Sequence, residues 1–395
     1  MTRRLLMMGL LIAPLFSLTA NSRLRAGEVV LTQGDESLKA TIDGEIFTVF
    51  HHGKSLPKPY FLPVVAPQGM EALRPGKSEG EFDVTNKVTV CTESADLRVH
   101  TETTATAELG EELEVTRRKD GWLWVPARNG WISEQDVAPL AATVTRVVNP
   151  DPPSIKDRKH PLYYDHPHHK GIWNSVDEVN GIKFWNEDGR IENVAVEVLT
   201  AKGAPAVFKA TNHWLDTDGK PLVIETTTYS LFPNRLLVAD IAFTAADKPV
   251  TFGDTKEGMF AIRLTNSMRE MVANGLVVNA DGTKGTSACW GRTSNWVDYS
   301  GPVAGHTYGV TLMDHPDNPR PSRYHVRNYG LFSINPFGAE AYTKGKEDPQ
   351  EAEPATIEPG DSPLRFRYGL YVHNGTAEDA PVSSTYDQFV EAAGK

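Results

Sequence analysis

The chain predicts an all-β protein, a large antiparallel β-sandwich with a small β-barrel inserted in its first half. Three observations lead there. β-Branched and aromatic runs recur along the sequence, broken by Gly, Pro, Asn and Asp. No segment sustains a long helical period, so helices on a parallel sheet do not fit. Finally, one stretch in the first half has its own short strands and hairpin turns.

The elements follow in order. Thr2, Arg3 and Arg4 precede a mostly apolar run from Leu5 to Leu18 and then small and polar residues. This is the layout of a secretory signal peptide, and the run is short for a membrane span. Residues 1–26 are therefore expected to be a leader, with the protein secreted or periplasmic, and a retained N-terminal anchor is the alternative. Residues 27–83 and 142–395 read as the two parts of the sandwich. Their strand runs are Gly44–Phe50, Lys58–Val64, Val194–Val198, Leu222–Tyr229, Leu236–Phe243 and Phe366–Val372. Residues 84–141 read as the insert, with strands at Val88–Val90, Glu112–Thr116, Trp122–Val125 and Trp131–Ile132 and an irregular arm at Leu97–Val99. Turns fall at Lys119-Asp120-Gly121 and Asn129-Gly130. A small domain sits in a loop when its own ends lie close together.

Arg3, Arg4, Arg23 and Arg25 are the only charges in residues 1–26, so removing them takes the formal net charge from −11 to −15. That balance argues against a nucleic-acid backbone or an anionic membrane as the main partner. No later segment is long and apolar enough for an integral membrane domain. Cys91 and Cys289 are the only cysteines. One bridge or two separate thiols both fit, but not a disulfide framework or a thiolate zinc cluster.

The densest chemistry lies in YYDHPHHKGIW, where Asp165, His166, His168 and His169 fall within five positions. So many protonatable groups need partners if buried, which predicts a polar cleft. Pro167 disfavours a regular central strand, so a loop leading into a strand at Ile172 is expected, with Trp173 as an apolar floor for a sugar ring. Glu257, in GDTKEG, is the candidate general base. A carboxylate near a histidine can take a proton from a hydroxyl while the histidine gives one elsewhere. His166 or His168 would be that acid, with His315 and His325 as alternates. Asp165, His169, Trp173, Trp296 and Arg327 are candidate substrate contacts, Arg327 through its rigid donor fork. Structural roles stay open for each: Glu257 pairing with Lys256 or Arg263, Arg327 bracing its turn, Trp296 packing in the core. Asp314-His315-Pro316 repeats the order Asp165-His166-Pro167, which suggests two loop ends where an aspartate orients its histidine. Three histidines with Asp165 or Glu257 could instead hold a divalent metal, although no HExxH is present.

Two resemblances extend this reading. Residues ADLRVHTETTATAELGEELEVTRRKDGWLWV and NGWISEQDVAPL are similar to a bacterial SH3-like domain. That likeness implies a cell-wall or protein partner for the insert, with Trp122, Trp124 and Trp131 as an aromatic groove. Outside it, KPYFLPVVAPQG, DHPHHKGIW, VNGIKFWNEDGRI, FGDTKEGMFAIRL, WGRTSNWVDYSG, GVTLMDHPDNPRPSRYHVRNYGLFSINPFG and FRYGLYVHNG resemble the family DUF6807, labelled methane oxygenase PmoA-like. The resemblance implies a galactose mutarotase-like sandwich and tilts the ligand toward carbohydrate. It does not imply methane oxidation, which needs a membrane metalloenzyme. The expected function is therefore an exported carbohydrate-active protein using histidine and carboxylate acid/base chemistry. The alternatives are a noncatalytic carbohydrate or cell-surface binding protein and a divalent-metal-dependent hydrolase or lyase.

Overall fold

The computed structural model describes residues 27–69, 71–74, 77–78, 81–85, 87–115, 117–119, 122–139, 144–148, 166–273, 275–303, 306–345 and 354–394. The leader proposed for residues 1–26 and Asp165 lie outside them.

Two antiparallel sheets form the larger body. A nine-stranded sheet runs in the order Lys202–Gly203, Val29–Gln33, Ser37–Ile42, Glu45–His51, Tyr60–Val64, Ile172–Asn174, Phe260–Arg263, Leu331–Asn335, Arg323–Val326. An eight-stranded sheet runs Ile191–Thr200, Ala206–Leu215, Pro221–Leu231, Leu236–Ala245, Leu364–Asn374, His306–Asp314, Trp296–Val303, Leu276–Asn279. Burial alternates residue by residue along Ala206–Leu215, because successive side chains point to opposite faces. The inward faces meet in one core where aromatic rings from the two sheets touch. Phe50 lies 5.3 Å from Phe208, Phe61 4.9 Å from Tyr229, and Phe260 6.0 Å from Tyr368. This is the expected all-β sandwich.

Residues 87–139 build two smaller sheets. One orders Glu112–Glu114, Lys87–Val90, Val137–Pro139, and the other Arg117–Lys119, Trp122–Val125, Gly130–Ser133, Ser94–Val99, Glu102–Glu108. They enclose a core of their own, with Val88, Val90, Leu97, Leu113, Leu123, Val125 and Ile132. The arm expected to be irregular at Leu97–Val99 forms part of the strand Ser94–Val99, with a register shift between Leu97 and Arg98 in its pairing to Glu102–Glu108. Backbone pairing of Glu81–Thr85 with Val144–Val148 sets the chain's paths into and out of this unit side by side.

One long helix went unread in the sequence. Val382–Ala393 packs Val382 and Phe389 on Leu236, Val238, Met313 and Tyr371, on the outer face of the eight-stranded sheet. Cys91 and Cys289 are both free thiols, and burial pushes Cys91 up to about 11. Among the described residues no helix is long and apolar enough to cross a membrane.

Candidate functional site

The site grows from the outer face of the nine-stranded sheet. In the strands Ile172–Asn174, Phe260–Arg263, Leu331–Asn335 and Arg323–Val326, the residues Ile172, Phe260, Ile262, Phe332, Ile334, Tyr324 and Val326 face the sandwich core. Period two then turns the intervening residues outward. Register aligns Trp173 with Ala261, Ala261 with Ser333, and Ser333 with His325, one row across four strands. Arg263 sits two positions beyond Ala261 on the same face, opposite Leu331.

The histidine segment turns into this row. His169 N–H donates to His166 O at 3.0 Å, and His166 holds a left-handed φ of 48°. Gly171, at φ 56°, passes so close to the neighbouring strand that a Cβ would lie 1.8 Å from Phe61 O. Only glycine fits there. The strand then begins at Ile172, as expected.

This turn stacks rings in a column. Tyr329 lies over His166 (5.5 Å, 7° between planes), His166 over His169 (4.8 Å, 3°), and His169 over Trp173 (5.3 Å, 19°). His168 meets His169 edge-on at 4.5 Å, and Trp185 closes the other side at 5.6 Å. The Arg263 guanidinium covers the Tyr329 ring at 4.9 Å, and Arg327 lies 5.5 Å from the same ring.

Charge is arranged on both flanks. Buried Lys58 donates from Nζ to Glu187 Oε1 at 2.7 Å and to His168 O at 2.9 Å, while Lys170 Nζ reaches both Glu187 oxygens at 2.8 and 3.0 Å. Burial pulls the Lys58 ammonium down to about 8, with Glu187 opposing it. Burial alone would raise the Glu187 carboxyl, but Lys58 and Lys170 outweigh it and hold Glu187 below the usual range. On the other flank His325 sets Nδ1 2.9 Å from Lys256 O, and Arg327 acts on both His325 and Glu257.

The titrating groups are displaced by burial. His168 is pulled to about 4, chiefly by desolvation with Lys58 and His166 adding to it. Desolvation with Arg327 brings His325 to about 3. His169 is driven well down by desolvation and then Arg263. Glu257 moves the other way: burial raises it, and Asp177 adds while Lys256 and Arg327 oppose.

The structure thus gathers His166, His168, His169, Trp173, His325 and Arg327 on one face, and Glu257 lies near enough to feel the Arg327 charge. It does not bring two other expected residues there. His315 sits under the C-terminal helix, with Nε2 3.3 Å from Val390 O and Nδ1 accepting from Asp317 N–H at 3.1 Å. Trp296, opposite Met313 on the eight-stranded sheet, packs against the same helix. Nor does Asp314 orient His315. Its carboxylate accepts from Asn318 and Ser322, and burial raises it to about 6. Asp254 caps the helix Ala339–Thr343 through Glu340 N–H and Ala341 N–H.

Sequence reasoning missed two participants. Lys58 and Glu187 are distant in sequence and look like ordinary surface charges. Also unread, but on the other side of the sheet from this site, is Glu225, a wholly buried carboxylate inside the sandwich that accepts from Asn174, Asn212, Thr227 and Trp214. A hollow of about 10 Å³, room for roughly one water, adjoins it. Its one signal was a charged residue in the core register of LVIETTTY. As for the metal reading, no group of three or more His, Cys, Asp or Glu among the described residues is placed to hold an ion. The imidazoles stack as plates instead of converging their nitrogens.

Fold and site together define a two-sheet β-sandwich with a ring-lined, polar outer face. The chain belongs to the family of unknown function DUF6807, whose family model matches residues 137–387, more than half of the sequence. No curated protein matches it. Solved structures align to it distantly. A galactose 1-epimerase from Lactobacillus acidophilus NCFM shares 7% identity over 88% of this chain and 98% of its own, with a TM-score of 0.30. An aldose epimerase homologue from C. elegans shares 9% over 88% and 99%, at 0.29. A galactose mutarotase-like protein from Clostridium acetobutylicum shares 7% over 88% and 95%, at 0.30.

Proposed function

We propose that this chain is an exported carbohydrate-active protein, secreted or periplasmic after loss of residues 1–26, whose outer nine-stranded face binds a sugar. One observation carries the reading: the column Tyr329, His166, His169, Trp173 runs between a Lys58–Glu187–Lys170 cluster and the His325, Arg327 and Glu257 group. The edges of these stacked rings carry polar nitrogens, and with the fixed donors and acceptors on either flank they match the hydroxyl edges of a sugar.

The same groups supply acid/base chemistry, with roles opposite to those expected from sequence. Burial lowers the imidazoles and raises Glu257, so at neutral pH His168 and His325 are unprotonated and suited to accept a proton. Glu257 keeps its proton longer than an exposed glutamate and suits donation. Calorimetry with a panel of monosaccharides and short oligosaccharides tests the binding. Saturable heat that Trp173→Ala abolishes supports the reading, and no heat with any saccharide overturns it.

A second reading has its own support. Trp124 and Trp131 are cross-strand partners 5.3 Å apart, and both are half-exposed on the side of their sheet away from Leu123, Val125 and Ile132. That face suits attachment by an SH3-like insert spanning 84–141, between sandwich segments 27–83 and 142–395, to a cell-wall peptide or a protein. Under this reading the protein binds without turnover. A pull-down on purified peptidoglycan with wild type and Trp131→Ala separates the two.

A further inference from the structure

Four polar atoms in or beside the outer row are buried without a hydrogen-bond partner among the described residues: Trp173 Nε1, His169 Nε2, Ser333 Oγ and His325 Nε2. Their residues are at most 2% exposed. Buried polar groups are nearly always satisfied, so four orphans on one face point to something that completes them.

Their neighbours dictate what each can offer. Arg263 Nη1 lies 3.1 Å from His169 Nδ1, and a guanidinium only donates, so Nδ1 accepts and the His169 proton sits on Nε2. At His325 the order is reversed. Nδ1 faces the Lys256 carbonyl, which only accepts, so Nδ1 carries the proton and Nε2 presents a lone pair. Trp173 Nε1–H only donates, and Ser333 Oγ does either. The middle of the row is Ala261 and Ser333, the two smallest side chains in it.

Resting on the sugar-binding reading above, we propose that this row takes a neutral, hydroxyl-bearing ligand and fixes its orientation. One ligand O–H donates to His325 Nε2, and ligand oxygens accept from His169 Nε2–H and Trp173 Nε1–H. A carboxylate or phosphate has no proton to give His325 and would meet its lone pair with negative charge. The preferred class is thus a neutral sugar or polyol, in preference to a uronate or a sugar phosphate.

The test has a ligand arm and a protein arm. Glucose, galactose, mannose, xylose and arabinose are titrated into residues 27–395 beside glucuronate and galacturonate, and positional deoxy and deoxyfluoro forms of the best binder follow. Fluorine cannot donate a hydrogen bond. The expected result is a neutral binder with one position where deoxy and deoxyfluoro forms each lose about ten-fold in affinity, a loss that vanishes in His325→Phe. Independently of any variant's folding, imidazole 15N spectra of the wild type should show His169 protonated at Nε2 and His325 at Nδ1. Tighter uronate binding, fluorine tolerated at every position, or the opposite tautomer at His325 overturns the proposal. Absence of binding by every saccharide, with both tautomers as assigned, overturns the sugar-binding reading and the ligand assignment together.

Discussion

Arg263 donates to His169 Nδ1 at 3.1 Å in the floor of the outer face, and both side chains are buried to within 1%. A permanent cation beside a buried imidazole opposes a second positive charge there, so Arg263 both fixes the tautomer and suppresses protonation. Arg263→Met should therefore raise the His169 pKa, as read from its ring resonances across pH. An unchanged titration would show that desolvation alone holds His169 neutral.

Glu187 is the only carboxylate within reach of Lys58 among the described residues, and Lys58 is 1% exposed. Removing one partner of a buried pair leaves an uncompensated charge, at a cost of roughly 3–5 kcal/mol. Glu187→Ala should lose about that much stability in urea unfolding. Adding Lys58→Met should recover most of it, whereas additive losses in the double variant would contradict the coupling.

The buried histidines predict acid sensitivity. Their folded pKa values lie below the unfolded value near 6.5, so the unfolded chain binds more protons as pH falls. Their contribution is complete above about pH 6.5 and is lost as pH drops, for His168 toward about 4 and for His325 toward about 3. Asp314, raised to about 6, works the other way between roughly pH 4 and 6 and partly offsets them. Buried His325 alone is worth roughly 4 kcal/mol across its window. Unfolding free energy measured from pH 7 to 3 should fall, and His325→Phe should flatten the slope; an equal slope in that variant would contradict the assignment.

His315 belongs to the C-terminal helix. His315→Ala removes its contact with Val390 O and its edge-on packing on Phe389 at 5.6 Å. Stability should drop by about 1–3 kcal/mol while saccharide binding is unchanged. A loss of binding with stability intact would return His315 to the site.

Glu257→Gln keeps the size of a half-buried side chain and removes its proton chemistry. Melting should shift by only a few degrees, while turnover of any saccharide substrate, followed by NMR of the sugar, should fall at least 100-fold. Full activity in this variant would take Glu257 out of the acid/base role.

The sandwich was legible because β-branched and aromatic runs broken by Gly, Pro, Asn and Asp recur along the chain with no sustained helical period. Leu222–Tyr229 and Leu236–Phe243 fall within the observed Pro221–Leu231 and Leu236–Ala245. The histidine segment was legible too, since Pro167 and Gly171 announce a loop meeting a strand. What the sequence hides is which loops share a face. His315 and His325 are ten positions apart with similar surroundings, yet one serves a helix and the other lines the outer row. The Lys58–Glu187 pair is invisible for the same reason: tertiary contacts, among them the pairing of Tyr60–Val64 with Ile172–Asn174 and the bond from Ile191 N–H to Pro57 O, bring these elements together. The helix Val382–Ala393 was missed because its apolar stripe is sparse, holding Val382, Phe389 and Ala393 among polar residues.

The most direct test of the central claim is a crystal structure of residues 27–395 soaked with the tightest-binding saccharide. The account predicts sugar density on the outer face of the nine-stranded sheet, within hydrogen-bond distance of Trp173 Nε1, His169 Nε2 or His325 Nε2. Ordered sugar seated elsewhere, with those three atoms still unpartnered, would contradict it.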